Sequence, residues 1–199
     1  MLQLAVFASG HGSNLESIYN SIKIGSLSGV ELALVISNNS SSGALAFAKV
    51  NQITGTHLSL LICNNDFGKL EGEMLRILES AKIDIIALAG YMKKLPSGVL
   101  ERYKGRIVNV HPALLPEFGG EGMYGLNVHK AVIAAGKKIS GASVHLVEGE
   151  YDTGKIILQE SCPVLENDTP ESLAERIKII EHKILPQAIQ IIVDKISKK

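Results

Sequence analysis

The chain has 199 residues, room for one domain with a substantial core, with or without a small subdomain. Apolar residues make up 46% and charged residues 20%, which excludes a disordered chain and predicts a compact soluble fold. The 20 basic and 20 acidic residues cancel, so no surface built to coat nucleic acid is expected, and no apolar run reaches the about 18 residues that a membrane span needs.

Taken in chain order, strand-like and helix-like segments alternate through the first half. Leu2 to Ala8 is a short apolar run that predicts a buried strand. Ser13 to Lys23 has helical spacing, with Leu15, Ile18, Tyr19 and Ile22 on one face. Val30 to Ser37 predicts a second strand, Ser42 to Val50 a second helix and His57 to Ile62 a third strand. Asp66 to Lys82 predicts a long amphipathic helix with Leu70, Met74, Leu75, Ile77 and Leu78 inward. Asp84 to Ala89 predicts a fourth strand running into Gly90. Pro96 to Tyr103 is a short helix with Pro near its start, and Ile107 to His111 a fifth strand. Strands this apolar, alternating with helices, imply an α/β fold: an open, mostly parallel, doubly wound sheet.

The second half differs. Phe118 to Gly125 contains four glycines and reads as a flexible or ligand-approaching loop. Asn127 to Ala135 predicts a helix. Ser143 to Val147 and Lys155 to Glu160 predict two strands joined by a polar loop, Glu148 to Gly154, which carries Asp152; these form a C-terminal antiparallel region. Thr169 opens a long final helix, with Pro170 at its first position and Glu171 and Ser172 following, and a bend or break is expected near Pro186. No repeat or linker interrupts the chain, so one domain over 1–199 is expected, with a phosphate-binding half of about 1–105 and a catalytic half of about 106–199. The two cysteines, Cys63 and Cys162, read as buried thiols in a reducing compartment. With no secretory leader pattern, a cytoplasmic protein is expected.

Four constellations carry chemistry. Asn109 and His111 lie two apart on a strand, hence on one face, and a Pro-bounded turn follows. Asn offers a neutral donor to a developing oxyanion, His a titratable proton, and the loop Asp152 a charge to hold the His. No Ser or Cys nucleophile motif accompanies them, so direct attack of one substrate on another fits better than a covalent enzyme intermediate. Ser9-Gly10-His11-Gly12-Ser13-Asn14 follows the first strand and opens the first helix. Its small residues and free helix N–H groups suit a phosphate, although a tight turn with Ser13 as a simple N-cap is the plain alternative. Tyr91-Met92-Lys93-Lys94-Leu95 reads either as a solvated turn or as the wall of a ring-binding pocket. Lys178 and Glu181, at i and i+3 on the last helix, read as a surface ion pair unless a ligand claims them. His57, His129, His145 and His182 show no metal-ligand spacing, and no metal is expected.

Together these residues resemble the folate-dependent phosphoribosylglycinamide formyltransferases of purine biosynthesis, and the likeness is collinear over nearly the whole chain. Gly10-His11-Gly12-Ser13-Asn14 resembles the substrate-phosphate loop, and Ala89-Gly90-Tyr91-Met92-Lys93-Lys94-Leu95 the folate-pocket segment. Asn109-Val110-His111-Pro112-Ala113-Leu114-Leu115-Pro116 resembles the catalytic strand and turn. Gly141 to Leu146 followed by Tyr151-Asp152-Thr153-Gly154 resembles the catalytic Asp region. Glu181-His182 with Pro186 resembles the late helix that touches the substrate ribose. The resemblance implies a Rossmann-like formyltransferase fold. It implies transfer of a formyl group from the co-substrate N10-formyltetrahydrofolate to the amine of phosphoribosylglycinamide, through a tetrahedral intermediate and without metal.

By the same likeness, Asn109 and protonated His111 stabilise the oxyanion, and His111 moves protons toward the leaving folate nitrogen. Asp152 raises the His111 pKa and orients a proton-relaying water. Gly12, Ser13, Asn14, Lys178 and Glu181 hold the phosphoribosylglycinamide, while Met92, Lys93, Lys94, Leu95 and Asn109 meet the folate. The partners implied are these small molecules, with no nucleic acid, no membrane, and a monomer or weak homodimer. The chain departs from the family pattern at His11, at Asp66-Phe67-Gly68-Lys69 where an Arg is common, and in the longer, glycine-rich Phe118–Gly125 loop; His129 beyond that loop matches the pattern. Methionyl-tRNA formyltransferases usually add a tRNA-binding domain and formyltetrahydrofolate deformylases an N-terminal regulatory domain, neither of which the sequence suggests. A noncatalytic sugar-phosphate-binding module is the remaining reading.

Overall fold

The computed structural model describes residues 1–198. The elements, in order, are β1 (Leu2–Phe7), α1 (Ser13–Lys23), β2 (Val30–Ser37), α2 (Gly43–Val50), β3 (Thr54–His57), α3 (Phe67–Ser80), β4 (Ile85–Leu88), α4 (Ser97–Arg102), β5 (Ile107–His111), α5 (Leu126–Ala134), β6 (Ile139–Leu146), β7 (Ile156–Pro163) and α6 (Pro170–Ser197). One seven-stranded sheet runs in the order β3-β2-β1-β4-β5-β6-β7. The first five strands pair in parallel; β5–β6 and β6–β7 are antiparallel. This is the doubly wound sheet with an antiparallel flank that the alternation of apolar runs predicts. Among the described residues no helix is long and apolar enough to cross a membrane.

The period-two geometry of a strand splits the core into two layers. Leu4, Val6, Ile85, Ala87, Val108 and Val110 face one way, onto Leu15 and Ile18 of α1 and the apolar stripe of α6. Ala5, Phe7, Ile86, Leu88 and Ile107 face the other way, onto Leu70, Met74 and Leu78 of α3 and Val99 of α4. Asn109 and His111 therefore fall on the α3/α4 side, at the strand end where that helical cover stops.

Three sequence expectations shift. The strand expected over His57 to Ile62 lies instead at Thr54–His57. Its partner β2 ends at Ser37, opposite His57, so the ladder stops there. The apolar residues that follow coil into turns, closed by Cys63 N–H to the Ser59 carbonyl (3.3 Å) and Asn65 N–H to the Leu60 carbonyl (2.9 Å). The hairpin strands are longer than expected, because β6 begins at Ile139 and β7 ends at Pro163. The final helix is unbroken: α6 runs 28 residues through Pro186, whose ring is buried beside Ile184, Leu185, Ala188 and Ile189. Packing along this stripe outweighs the one hydrogen bond that proline forgoes.

The entry to α6 is closely tied. Thr169 and Ser172 form a reciprocal capping box, each side-chain oxygen accepting the other's backbone N–H (3.2 and 3.0 Å). Arg176 grips Asp168 with both terminal nitrogens (2.6 and 2.8 Å), and Asp168 also accepts the Leu165 N–H and the Ser172 hydroxyl (2.7 Å each). The Arg176 hydrogen bonds hold the Asp168 carboxyl well below the usual carboxylate range, against its partial desolvation. A depressed folded-state pKa stabilises above the unfolded value, near 3.9, and that stabilisation is lost as pH falls through the folded value. Asp168→Asn is expected to lower the melting temperature on the order of 5 °C at pH 7. Thermal melts from pH 7 to pH 3 should show the gap to the unaltered chain narrowing in acid.

Candidate active site

The five parallel strands deliver their C-terminal ends to one edge of the sheet, and the winding direction reverses between β1 and β4. In open α/β sheets the crevice at such a reversal is where ligands bind. The loops after β1, β4 and β5 all open there.

Asn109, His111 and Asp152 meet, as their spacing predicts for the first two and as spacing alone could not predict for the third. Asp152 stands in the β6–β7 loop with φ 57°, a left-handed conformation that Asp tolerates better than most residues. Its Oδ2 lies 3.3 Å from His111 Nδ1 and accepts the Gly120 N–H at 3.0 Å. Its Oδ1 accepts from Asn109 Nδ2 at 3.3 Å and lies 3.3 Å from His145 Nε2. Gly119 makes this approach possible: a Cβ there would sit 3.1 Å from Asp152 Cβ and 2.6 Å from Leu115 Cδ2. The turn after β5 is pinned by Ser143, whose hydroxyl donates to the Ala113 carbonyl (2.6 Å) and accepts the Leu115 N–H (3.0 Å).

His145 is the member that the sequence reading left without a role. Antiparallel pairing sets it directly across from Asn109, so the two side chains share a face. The signal was present only as a His in a strand; the register that makes it a neighbour is a tertiary fact. His145 Nδ1 lies 2.8 Å from the Leu146 carbonyl, which can only accept, so Nδ1 carries a proton. In the neutral ring Nε2 is then an acceptor, and Asn109 Nδ2 donates to it at 3.1 Å. Both amide hydrogens of Asn109 are thus turned toward Asp152 and His145, and donating to an oxyanion requires exchanging one of them.

His111 is nearly sealed from solvent, its side chain 4% exposed. Its Nε2 lies 2.8 Å from the Phe118 carbonyl and so bears a hydrogen. Nδ1 faces Asp152, and only the charged ring could donate to both. Burial pushes the His111 pKa down, while the Asp152 carboxylate and the Phe118 carbonyl pull it back up, leaving it below the ordinary histidine value. Asp152 thus raises the His111 pKa by charge proximity, as expected, and desolvation, which the sequence does not show, outweighs it. Burial also pushes the Asp152 pKa up, yet in the protonated rings the His145 Nε2–H bond and the His111 charge, with the Gly120 N–H, hold it below the usual range, so the carboxylate stays ionised.

At the end of β1, Gly12 and not Ser13 is the N-cap of α1, at φ 90° and with no side-chain cap. A Cβ on Gly12 would come within 3.0 Å of Ala44 Cα, so α2 packs against the loop only because a glycine stands there. The first N–H groups of α1 are left without a capping side chain, as an anion site requires. Asn14 is buried; its Nδ2 donates to Glu181 Oε2 at 2.9 Å, and its Oδ1 has no partner. Burial raises the Glu181 pKa to about 6, against the opposing effects of Asn14 and Lys178. Lys178 does not pair with Glu181 as the i, i+3 spacing suggests. It lies 3.4 Å from Glu175 on the preceding turn, because Glu181 turns inward to Asn14. His11 is exposed beside this loop.

A narrow slot, with about 50 Å³ of free volume, opens beside the Asp152 cluster. Leu88, Leu95, Leu100 and Val147 supply apolar walls, and Lys93, Lys94 and the 149–152 loop form the rim. Met92, expected as a wall, is half-exposed and does not line the slot; Tyr91 takes that place, its phenol pushed up to about 12 by burial. The alternation of side chains along this segment turns Tyr91 inward onto Phe7, edge to face at 5.3 Å. Lys94 and Glu150 form an ion pair across the mouth at 2.8 Å.

The formyl transferase family profile matches residues 2–189. The chain is 39% identical over 187 residues to the chloroplastic phosphoribosylglycinamide formyltransferase of Arabidopsis thaliana, covering 94% of this chain and 64% of that protein. It thus spans a little under two thirds of that relative's length. Glycinamide ribonucleotide transformylase 1 from Symbiobacterium toebii superposes with a TM-score of 0.90 at 32% identity, covering 98% of this chain and 89% of the other. Phosphoribosylglycinamide formyltransferase from Bacillus halodurans does so with a TM-score of 0.88 at 35% identity, covering 97% and 96%.

Proposed function

Because this chain belongs to the formyl transferase family, we propose that it transfers a formyl group from N10-formyltetrahydrofolate to the amine of phosphoribosylglycinamide, a step of purine biosynthesis. The observation that carries the reading is the Asp152-centred cluster of Asn109, His111 and His145, set between an uncapped helix N-terminus and an apolar slot. The relatives named above act on the same substrate by their names.

The amine nitrogen bonds to the formyl carbon, the carbonyl oxygen gains charge, and the bond from that carbon to the folate nitrogen then breaks. His111 Nε2–H, now on the Phe118 carbonyl, serves the oxyanion once that carbonyl yields its place. Asn109 adds a second donor by exchanging its bond to Asp152 or His145. The proton that the amine loses passes by way of a water at Asp152 to Nδ1, the free acceptor of the neutral ring, and the Nε2 hydrogen goes to the leaving nitrogen, so no net proton is consumed. Asp152 stays charged and accepts the His111 Nδ1 hydrogen once the ring has taken up the proton.

The N–H groups of Ser13 and Asn14 with Gly12 take the phosphate, and the unpartnered Asn14 Oδ1, with Glu181, suits sugar hydroxyls. Lys178, on the α6 turn preceding Glu181, adds positive charge there. The slot suits the flat folate ring between the Tyr91–Leu95 segment, with Lys93 and Lys94, and the 149–152 loop, with Asn109 at its inner end. Its walls must part to admit the ring. The exposed Lys94–Glu150 pair opposes this weakly, such surface pairs being worth roughly 0–1 kcal/mol. The single continuous sheet supports one domain, and the free thiols Cys63 and Cys162 support a reducing, cytoplasmic setting.

The test is an optical assay of folate product formation with and without phosphoribosylglycinamide. Product is expected only with the amine present. Release of formate without it would make the chain a hydrolase, and ligand binding without turnover would make it a binding module.

A further inference from the structure

Ser9 sits at the reversal point of the sheet, two residues beyond the end of β1, and its three polar groups make four hydrogen bonds across it. Its N–H donates to the Gly90 carbonyl (3.1 Å), and its carbonyl accepts from Asn39 Nδ2 (3.3 Å). Its hydroxyl donates to Asn38 Oδ1 (2.5 Å) and accepts the Met92 N–H (3.0 Å). The roles are forced: Met92 N–H can only donate, so the single hydroxyl hydrogen goes to Asn38. One side chain therefore ties together the ends of β1, β2 and β4. It also stands directly before Gly10, in the loop that ends at the uncapped start of α1, while Met92 lies between Tyr91 and Lys93, both of which line the slot.

We propose that Ser9 is a positioning residue that couples the two substrate subsites, so that filling the Gly12–Asn14 loop tightens binding in the Tyr91–Leu95 slot, and the reverse. The proposal rests on the substrate assignment given above. The physical ground is that the slot wall has few anchors of its own. Met92 is half-exposed and its N–H is held by Ser9, and the Gly90 carbonyl that precedes it is held by Ser9 as well. A loop drawn onto a phosphate moves or stiffens Ser9, and the wall follows through two hydrogen bonds. Binding couplings of this kind commonly amount to roughly 5- to 150-fold and are reciprocal.

Titration calorimetry with tetrahydrofolate, which lacks the formyl group and so cannot react, reads the coupling. Its affinity is measured with and without saturating phosphoribosylglycinamide, in the unaltered chain, Ser9→Ala and Asn38→Ala. The unaltered chain is expected to bind tetrahydrofolate about five-fold tighter or more when the phosphorylated amine is present. In Ser9→Ala that ratio is expected to fall toward one with the melting temperature nearly unchanged. Asn38→Ala, which frees the hydroxyl hydrogen without removing the acceptor for Met92, is expected to lower it part-way and covers the case in which Ser9→Ala does not fold. A ratio of one in the unaltered chain, or an unchanged ratio in both folded variants, overturns the coupling while leaving the substrate assignment standing. Failure of either ligand to bind the unaltered chain overturns both.

Discussion

His111→Ala is expected to cut kcat by roughly 10³-fold or more while leaving substrate affinities within a few-fold. The ring is asked for two things, an oxyanion donor beside Asn109 and a proton relay, and no other group can take over the relay. His145 is fixed through Nδ1 on the Leu146 carbonyl and opposes Asn109 and Asp152 with Nε2. The loss should therefore appear in kcat and not in KM, which single-turnover and steady-state kinetics together separate. The pH profile adds a sign. Burial places the His111 pKa below the ordinary 6.5, and a proton acceptor must be neutral, so kcat/KM of the unaltered enzyme should fall on the acid side through an inflection below that value. The variant's residual activity should lack that inflection. An intact acid limb in His111→Ala would assign the proton relay to a different group.

Asn109→Ala is expected to cost on the order of 10²- to 10³-fold in kcat, the range for removing one oxyanion donor. The effect has two sources here. The variant loses the donor itself. It also leaves His145 Nε2 and Asp152 Oδ1 without the amide that bridges them, at 3.1 and 3.3 Å. A comparison with Asn109→Asp separates the two: the carboxylate is nearly isosteric but cannot donate, and it sets a like charge beside Asp152. Turnover in Asn109→Asp should be no better than in Asn109→Ala, with binding of the formyl donor weakened as well. Near-normal turnover in either variant would remove Asn109 from the oxyanion site. Steady-state kinetics with each substrate varied in turn provide the check.

Much of this site is legible in the chain because local chemistry constrains it. A His two residues after an Asn on a strand shares its face whatever the rest of the protein does. Small residues between a strand and a helix leave amides free, and Gly12 at φ 90° serves that end. The Thr169-Pro170 start of α6 follows from capping alone and is found as a capping box. Less legible are features set by partners distant in sequence. The apolar run after His57 reads as a strand by composition, yet Ser37 ends the neighbouring ladder and the run turns away. Pro186 reads as a breaker, yet the buried stripe around it keeps α6 whole. Lys178 and Glu181 read as a pair by spacing, yet Asn14, 167 residues from Glu181, captures the carboxylate.

The sequence by itself determined the alternation of strands and helices, the face shared by Asn109 and His111, and the anion-ready turn at Gly12, since each depends on torsions and periods within a few residues. Tertiary structure alone decided that Asp152 lies against His111, that His145 joins the cluster, and that burial outweighs Asp152 in setting the His111 pKa. It also decided that Ser9 spans the ends of three strands. The reason is common to all of these. Strand register and desolvation are properties of surfaces brought together by folding, and no local spacing records which residue will stand opposite, or how much water will be left between them.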